Sequence, residues 1–161
     1  MSSPFTIADA KSEDEHALAA MMRGLNEAEN EFVPNRDLTD AAALEHVRYL
    51  MGCVKQQGGF ALVGRKDDVA LGFAIGLVET EEGAYVLPGQ RGFGFLSDIF
   101  VAPEVRRRGL ARALVAAAEA RFRDLGVTEM RLNVLGGNVG AMKFYEKAGF
   151  APYEQILSKL L

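Results

Sequence analysis

The run Phe95-Leu96-Ser97-Asp98-Ile99-Phe100-Val101-Ala102-Pro103-Glu104-Val105-Arg106-Arg107-Arg108-Gly109-Leu110-Ala111-Arg112 decides how this chain reads. Residues 93–101 have strand character, and Pro103 ends the strand because proline cannot donate to a ladder. Three arginines and Gly109 follow, and Leu110, Leu114, Ala118 and Phe122 then recur on one helical stripe. A strand therefore passes through a tight basic turn straight into a helix. The first amides of a helix have no carbonyl one turn below them, and the helix dipole adds partial positive charge at that end. Together they favour a phosphate group. Gly109 lets the backbone approach such a group, Ala111 keeps the first turn uncrowded, and neighbouring arginines can pair phosphate oxygens bidentately. The plainer alternative is a helix start with solvated arginines. Against it, three cations at a helix N-terminus oppose the dipole unless an anion joins them. A local rule broken at one spot often marks a functional spot.

Outward from that stretch, residues 5–8 read as a short strand. Ser12 with Glu15 three residues on predicts a capping box before a helix over residues 17–28. Leu44, Val47, Leu50, Met51 and Val54 predict a second helix over residues 40–54, stopped by Gly58-Gly59. Residues 60–63 and 69–78 flank the turn Arg65-Lys66-Asp67-Asp68 and predict a hairpin. Residues 79–92 are rich in turn formers. After the helix over 109–125, closed by Gly126, the pattern predicts a strand over 127–135, a helix over 138–148 and a last strand over 153–160. Strand–helix–strand order in this latter half predicts parallel crossovers, with antiparallel pairing before it. The sum is a mixed sheet covered by helices. No repeat or linker divides the chain, so one domain is expected over residues 1–161.

Composition narrows the function. The chain has 161 residues, 49% of them hydrophobic and 25% charged, which excludes extended disorder, collagen and a disulfide scaffold. Cys53 is the only cysteine, so no internal disulfide and no cysteine-based zinc site can form. One thiol fits a reducing cytoplasm, the expected location. The first ten residues lack the basic-then-apolar pattern of a signal peptide, and no stretch approaches the ~18 apolar residues of a membrane span. The net charge of −4 hides an asymmetry: residues 1–50 hold ten acids against four bases, whereas residues 103–123 hold six arginines against two glutamates. One basic patch on an acidic chain suits a small anionic ligand, while nucleic acid wants a broad basic face. Phosphate motifs of other kinds are absent. There is no GxxxxGK[ST] and no GxGxxG, and Gly136-Gly137-Asn138-Val139-Gly140 has the right context but the wrong spacing. A nucleophile elbow, GxSxG, is also missing.

Two motifs now carry a resemblance. Arg106-x-x-Gly109-x-Ala111 after Asp98-Ile99-Phe100-Val101 resembles the acyl-CoA pyrophosphate loop of the GNAT N-acetyltransferase superfamily. Asn138-x-x-Ala141-x-x-x-Tyr145-x-x-x-Gly149-Phe150 resembles its second motif, in the family's order and separation, and the element order is similar over nearly the whole chain. The resemblance implies an α/β (α+β) fold: one mixed, mostly antiparallel sheet of about six to seven strands flanked by helices. It implies an acetyl-CoA-dependent N-acetyltransferase, without a metal, acting on a primary amine of a small molecule by direct transfer in a ternary complex. A non-catalytic acyl-CoA-binding module is the alternative from another class; a nucleotide-binding domain built on residues 136–140 ranks third. Neither nucleic acid nor membrane is an expected partner. Homodimers are common in the family.

The same resemblance implies roles for individual residues. Backbone groups of Ile99, Phe100 and Val101 would pair with the pantetheine arm, and an N–H near Val101 would stabilise the oxyanion. The loop residues Arg106, Arg107, Arg108, Gly109, Leu110, Ala111 and Arg112 would hold the pyrophosphate. Asn138 would contact the pantetheine or the acyl end. Tyr145 matches the general acid that protonates the departing sulfur; otherwise it reads as a helix aromatic capping the core beside Phe144. Alternation places Ser97, Ile99 and Val101 on one face of the strand and Leu96, Asp98 and Phe100 on the other. A carboxylate in an apolar strand needs a partner. Asp98 is thus a candidate for holding the substrate amine or accepting its proton, or else a structural carboxylate bonded to nearby amides. Many relatives carry Glu at the position of Ser97, where this chain has none. His16 and His46 lie on the first two helices without a partner at ligand spacing and read as surface or core histidines. Cys53 reads as a small buried hydrophobe. Glu27, Glu29 and Glu31, with the acidic N-terminal third, tilt the acceptor toward a cationic amine.

Overall fold

A computed structural model describes residues 4–161. The strand patterns pair in chain order: β1 (Thr6–Asp9), β2 (Gly59–Lys66), β3 (Val69–Thr80), β4 (Gly92–Val101) and β5 (Met130–Leu132) lie side by side. The first four are antiparallel and β5 runs parallel to β4. The β2–β3 hairpin closes through Asp67 and Asp68 at φ 49° and 63°. Aspartate tolerates that left-handed backbone, which two-residue hairpin turns require.

Helices α1 (Glu15–Asn30) and α2 (Asp40–Gln57) cover one face, α3 (Leu110–Asp124) covers the other, and α4 (Val139–Lys147) follows β5. Thr39 Oγ1 accepts the Ala42 N–H at 3.2 Å and opens α2, and Gly58 at φ 73° closes it. Before α1, Ser12–Asp14 forms one turn of 3-10 helix, which corrects the expected cap at Ser12. The capping carboxylate is Asp14, which accepts the Lys11 N–H at 2.8 Å and also takes the Arg65 guanidinium. Burial alone would raise the Asp14 carboxyl; the Lys11 amide and Arg65 override it and hold it below the ordinary carboxylate range.

The core explains how close α3 lies to the sheet. Phe122 packs directly on Gly76 and Gly94, where a Cβ would come within 2.8 Å and 2.5 Å of its ring. Leu110 and Leu114 rest in the same way on Gly72. Each of these three side chains is fully buried, a contribution of about 1.5–3 kcal/mol apiece. On the opposite face Phe73 and Ile75 join Met22, Val47 and Leu50 of α1 and α2 in the same core.

Two strand expectations are corrected. The strand expected over 127–135 pairs only at Met130–Leu132, and residues 153–160 form no strand, so the sheet has five strands rather than six to seven. Arg131 supplies the physical reason for the path of the last segment. Its guanidinium lies 4.0 Å from the Phe93 ring on one side and 4.2 Å from the Tyr153 ring on the other, and it pairs with Glu81 at 2.5 Å. This stacking draws the chain toward the Arg131 side chain at Tyr153. Beyond it Ile156, Leu157, Leu160 and Leu161 are exposed and pair with no strand. Among the described residues, no helix is long and apolar enough to cross a membrane.

Candidate active site

β4 and β5 pair only from Gly94↔Met130 to Leu96↔Leu132. Past that point they diverge, and a cleft of about 150 Å³ opens between them. Ser97, Asp98 and Ile99 form its β4 wall, Asn138 and Tyr145 its α4 wall, and Glu29 reaches it from α1. A β-bulge sets which side chains face where. Ile75 pairs with Asp98 but Gly76 pairs with Leu96, so Ser97 is an extra residue on β4. The expected alternation is therefore corrected. Leu96 shares the α3 face with Gly76, whereas Asp98 shares the α1/α2 face with Ile75.

At that face the Ser97 hydroxyl donates to Asp98 Oδ2 at 2.5 Å, and His46 Nε2 of α2 lies 3.8 Å from Asp98 Oδ1. His46 thus has a partner, contrary to the expectation of an isolated histidine. The facing Asp98 carboxylate raises the imidazole above the ordinary histidine value; desolvation opposes this, and the charge of Glu29 adds to it. Nothing local in the sequence marks His46, since only the packing of α2 over the sheet brings it to Asp98.

The second motif is the start and stop signal of α4. Asn138 is its N-cap, with Oδ1 accepting the Ala141 N–H at 3.1 Å. At the other end Gly149 takes φ 93°, its N–H bonds Glu146 O at 3.1 Å, and the Phe150 N–H bonds Tyr145 O at 3.0 Å. That is a Schellman cap, which needs glycine and places an apolar residue after it. The Phe150 ring then meets the Tyr145 ring edge-on at 5.6 Å and steadies it in the cleft. Burial pushes the Tyr145 phenol up to about 12.

At the other end of the cleft, the Ala102 N–H bonds Leu71 O of β3 at 2.8 Å. Alternation then turns the Phe100 backbone toward β3 and the N–H and C=O groups of Ile99 and Val101 toward the open side. The Phe100 side chain packs against α1 at Gly24. Arg106 Nε donates to Val101 O at 3.1 Å and ties the basic turn to the strand. Within that turn Arg107 has φ 62° and Gly109, the N-cap of α3, has φ 92°. Left-handed residues in a short turn gather amides into an anion-binding concavity. No side chain caps α3, and Arg107, Arg108 and Arg112 are exposed without an ion pair among the described residues. A second hollow, of about 310 Å³, lies between α1 and α2 against His16, Asp40 and Leu44, and holds none of these groups.

The model of the Acetyltransferase (GNAT) family matches residues 19–150. The chain belongs to that family. It is 29% identical over 99 residues to aminoglycoside N(6')-acetyltransferase type 1 of Salmonella typhimurium, spanning 60% of this chain and 66% of that protein. An uncharacterized N-acetyltransferase of Bacillus subtilis is 31% identical over 67 residues, which is 42% of this chain and 43% of that one. Among solved structures, an N-acetyltransferase from Ralstonia eutropha matches with a TM-score of 0.76 at 19% identity, over 97% of this chain and 98% of the other. An aminoglycoside N-acetyltransferase in complex with CoA matches with a TM-score of 0.71 at 22% identity, over 100% and 97%. The fold is theirs.

In this GNAT chain the cleft gathers Asp98, Ile99, Asn138 and Tyr145, and the basic turn from Arg106 to Arg112 adjoins its β4 wall at Val101. Open amides, free guanidinium groups and a capless helix start have the donor chemistry that an acyl-CoA requires. Leu25 and Ala28 of α1 and Phe32 in the turn after it also line the cleft, and no sequence signal singled them out.

Proposed function

We propose that the chain is an N-acetyltransferase that moves an acetyl group from acetyl-CoA to a primary amine in a ternary complex. The carrying observation is the joined geometry of an open β4 edge, the left-handed basic turn at its end, and Asp98 and Tyr145 across the same cleft.

Acetyl-CoA supplies a thioester, an acyl carbon already activated toward nitrogen. The amides of residues 107–112, with Arg107, Arg108 and Arg112, hold the pyrophosphate, while Arg106 fixes the turn on Val101. Ile99 and Val101 present backbone groups to the pantetheine arm, and the Val101 N–H donates where negative charge develops on the acyl oxygen. With Oδ1 engaged by Ala141, Asn138 offers its amide NH₂ to the pantetheine or acyl end. An alkyl amine with the basicity of lysine, pKa near ~10.4, arrives protonated. Asp98 accepts that proton, directly or through water. Tyr145 stays protonated across the neutral range and donates to the departing sulfur. A cofactor-binding module without catalysis would have no use for a steadied phenol at that spot. The acidic N-terminal third supports a cationic acceptor, as do the aminoglycoside acetyltransferases among the relatives. The single buried thiol supports a reducing cytoplasm.

A thermal melt tests the reading. Acetyl-CoA at ~100 times its dissociation constant adds about 2.7 kcal/mol, a rise of roughly 5–10 °C at this size, with no comparable rise from NADH or ATP. Free-thiol release with spermidine, kanamycin and lysine then identifies the acceptor class. A larger rise with a nucleotide than with acetyl-CoA would refute the assignment of the turn.

A further inference from the structure

We propose that His46 positions the Asp98 carboxylate and carries onward the proton that Asp98 takes from the acceptor amine. The proton route rests on the acetyl-transfer reading above; the pairing itself does not.

The geometry divides the carboxylate in two. Oδ2 is held by the Ser97 hydroxyl at 2.5 Å, and Oδ1 faces His46 Nε2 at 3.8 Å. The Asp98 side chain is 13% exposed and the His46 side chain 44%, so the pair runs from the cleft wall to solvent. A neutral hydroxyl alone compensates a largely desolvated carboxylate poorly, whereas an imidazole can also match its charge. The separation is that of an ion pair, and such contacts in ligand-free sites tighten when the substrate arrives.

The chemistry calls for an exit. An amine that arrives as an ammonium group loses one proton before its lone pair can form the new bond to carbon. That proton passes from nitrogen to Asp98 Oδ1, from Oδ1 to His46 Nε2, and from the imidazole to bulk water. The carboxylate and neutral imidazole are thereby restored for the next turnover. Three groups face the imidazole. Asp98 from β4 and Glu29 from α1 favour its charged form, although Arg36 pairs with Glu29 at 2.8 Å. Tyr49, one turn on along α2, stacks on it at 6.2 Å and 17° and fixes its plane. The relay accepts protons once the imidazole is neutral, so its contribution grows as pH rises through the His46 value.

The chain has two histidines, His16 and His46, which makes the pairing directly readable. Imidazole proton resonances of the ligand-free protein, followed against pH, are expected to give His46, identified by the resonance lost in His46→Gln, a midpoint above the ordinary ~6.5. Asp98→Asn is expected to lower that midpoint; an unmoved midpoint overturns the pairing. With acetyl-CoA and spermidine or kanamycin, whichever is turned over, His46→Gln is expected to lower kcat/KM for the amine about tenfold near neutral pH. It should also remove the His46 limb of the pH profile and leave the acetyl-CoA melting shift unchanged. A profile superposable on the wild type overturns the proton route. Failure of the acetyl-transfer reading shows elsewhere, as a missing acetyl-CoA shift in the wild-type protein.

Discussion

On the β4 side of the cleft, the groups suited to a cofactor come from one continuous piece of chain, residues 99–112, and many of them are backbone amides. The groups proposed to handle the amine and the leaving sulfur are instead assembled from separate elements, His46 from α2, Glu29 from α1, Asp98 beside the bulge in β4 and Tyr145 from α4, and each would act through its side chain. A backbone wall tolerates side-chain change but is sensitive to anything that alters its φ angles or its charge. A wall of converging side chains can lose one function at a time while its shape stays intact. The two walls should therefore fail in different ways.

Gly109→Glu strikes the backbone wall hardest. A Cβ there has open space, so the damage comes from a left-handed φ of 92° and from a negative charge at the phosphate position. The acetyl-CoA melting shift should vanish, whereas the strain itself costs only about 1–2 kcal/mol of stability. Next in size, Tyr145→Phe should lower kcat by about 10²–10⁴-fold and leave the acetyl-CoA dissociation constant within a factor of two or so, as calorimetry would read it. Equal damage to turnover and cofactor affinity in that variant would break the distinction between the walls. The smallest effect belongs to Arg107→Asn. Asparagine accepts a left-handed φ more readily than arginine, so the variant should gain a few tenths of a kcal/mol in a denaturant melt. It should simultaneously bind acetyl-CoA a few-fold less tightly. Opposite signs in one variant would show that the turn stores strain for its ligand; weaker stability together with weaker binding would argue that it does not.

The same contrast explains what the sequence discloses. Gly109, Asn138, Gly149 and Phe150 are legible because each solves a local problem: a left-handed cap, an N-cap bond, a Schellman turn and the ring after it. Helices α1 to α4 are legible through their stripes and stops. Ser97 is different, because one extra residue in β4 reverses the facing of everything after it, and the reversal is set by pairing with β3. His46 meets Asp98 through tertiary packing, which no spacing rule encodes. The segment after Phe150 misleads for a related reason. Ile156, Leu157 and Leu160 have the composition of a strand, but β5 offers only Met130–Leu132 as a ladder, and the chain at Tyr153 stacks on the Arg131 side chain instead of pairing along it.

The seat of α3 on Gly72, Gly76 and Gly94 has a further consequence. With rings and methyl groups resting directly on backbone, the helix has no soft layer beneath it along which to slide. Its first turn and the bulge at Ser97 are thus held a constant interval apart, like two marks on a rule. On the proposed reading, a cofactor gripped at one mark would be measured against the other, and its reactive end would arrive at the same depth each time. On the acetyl-CoA reading proposed above, the glycines under α3 would thereby set the length of arm accepted between phosphate and thioester.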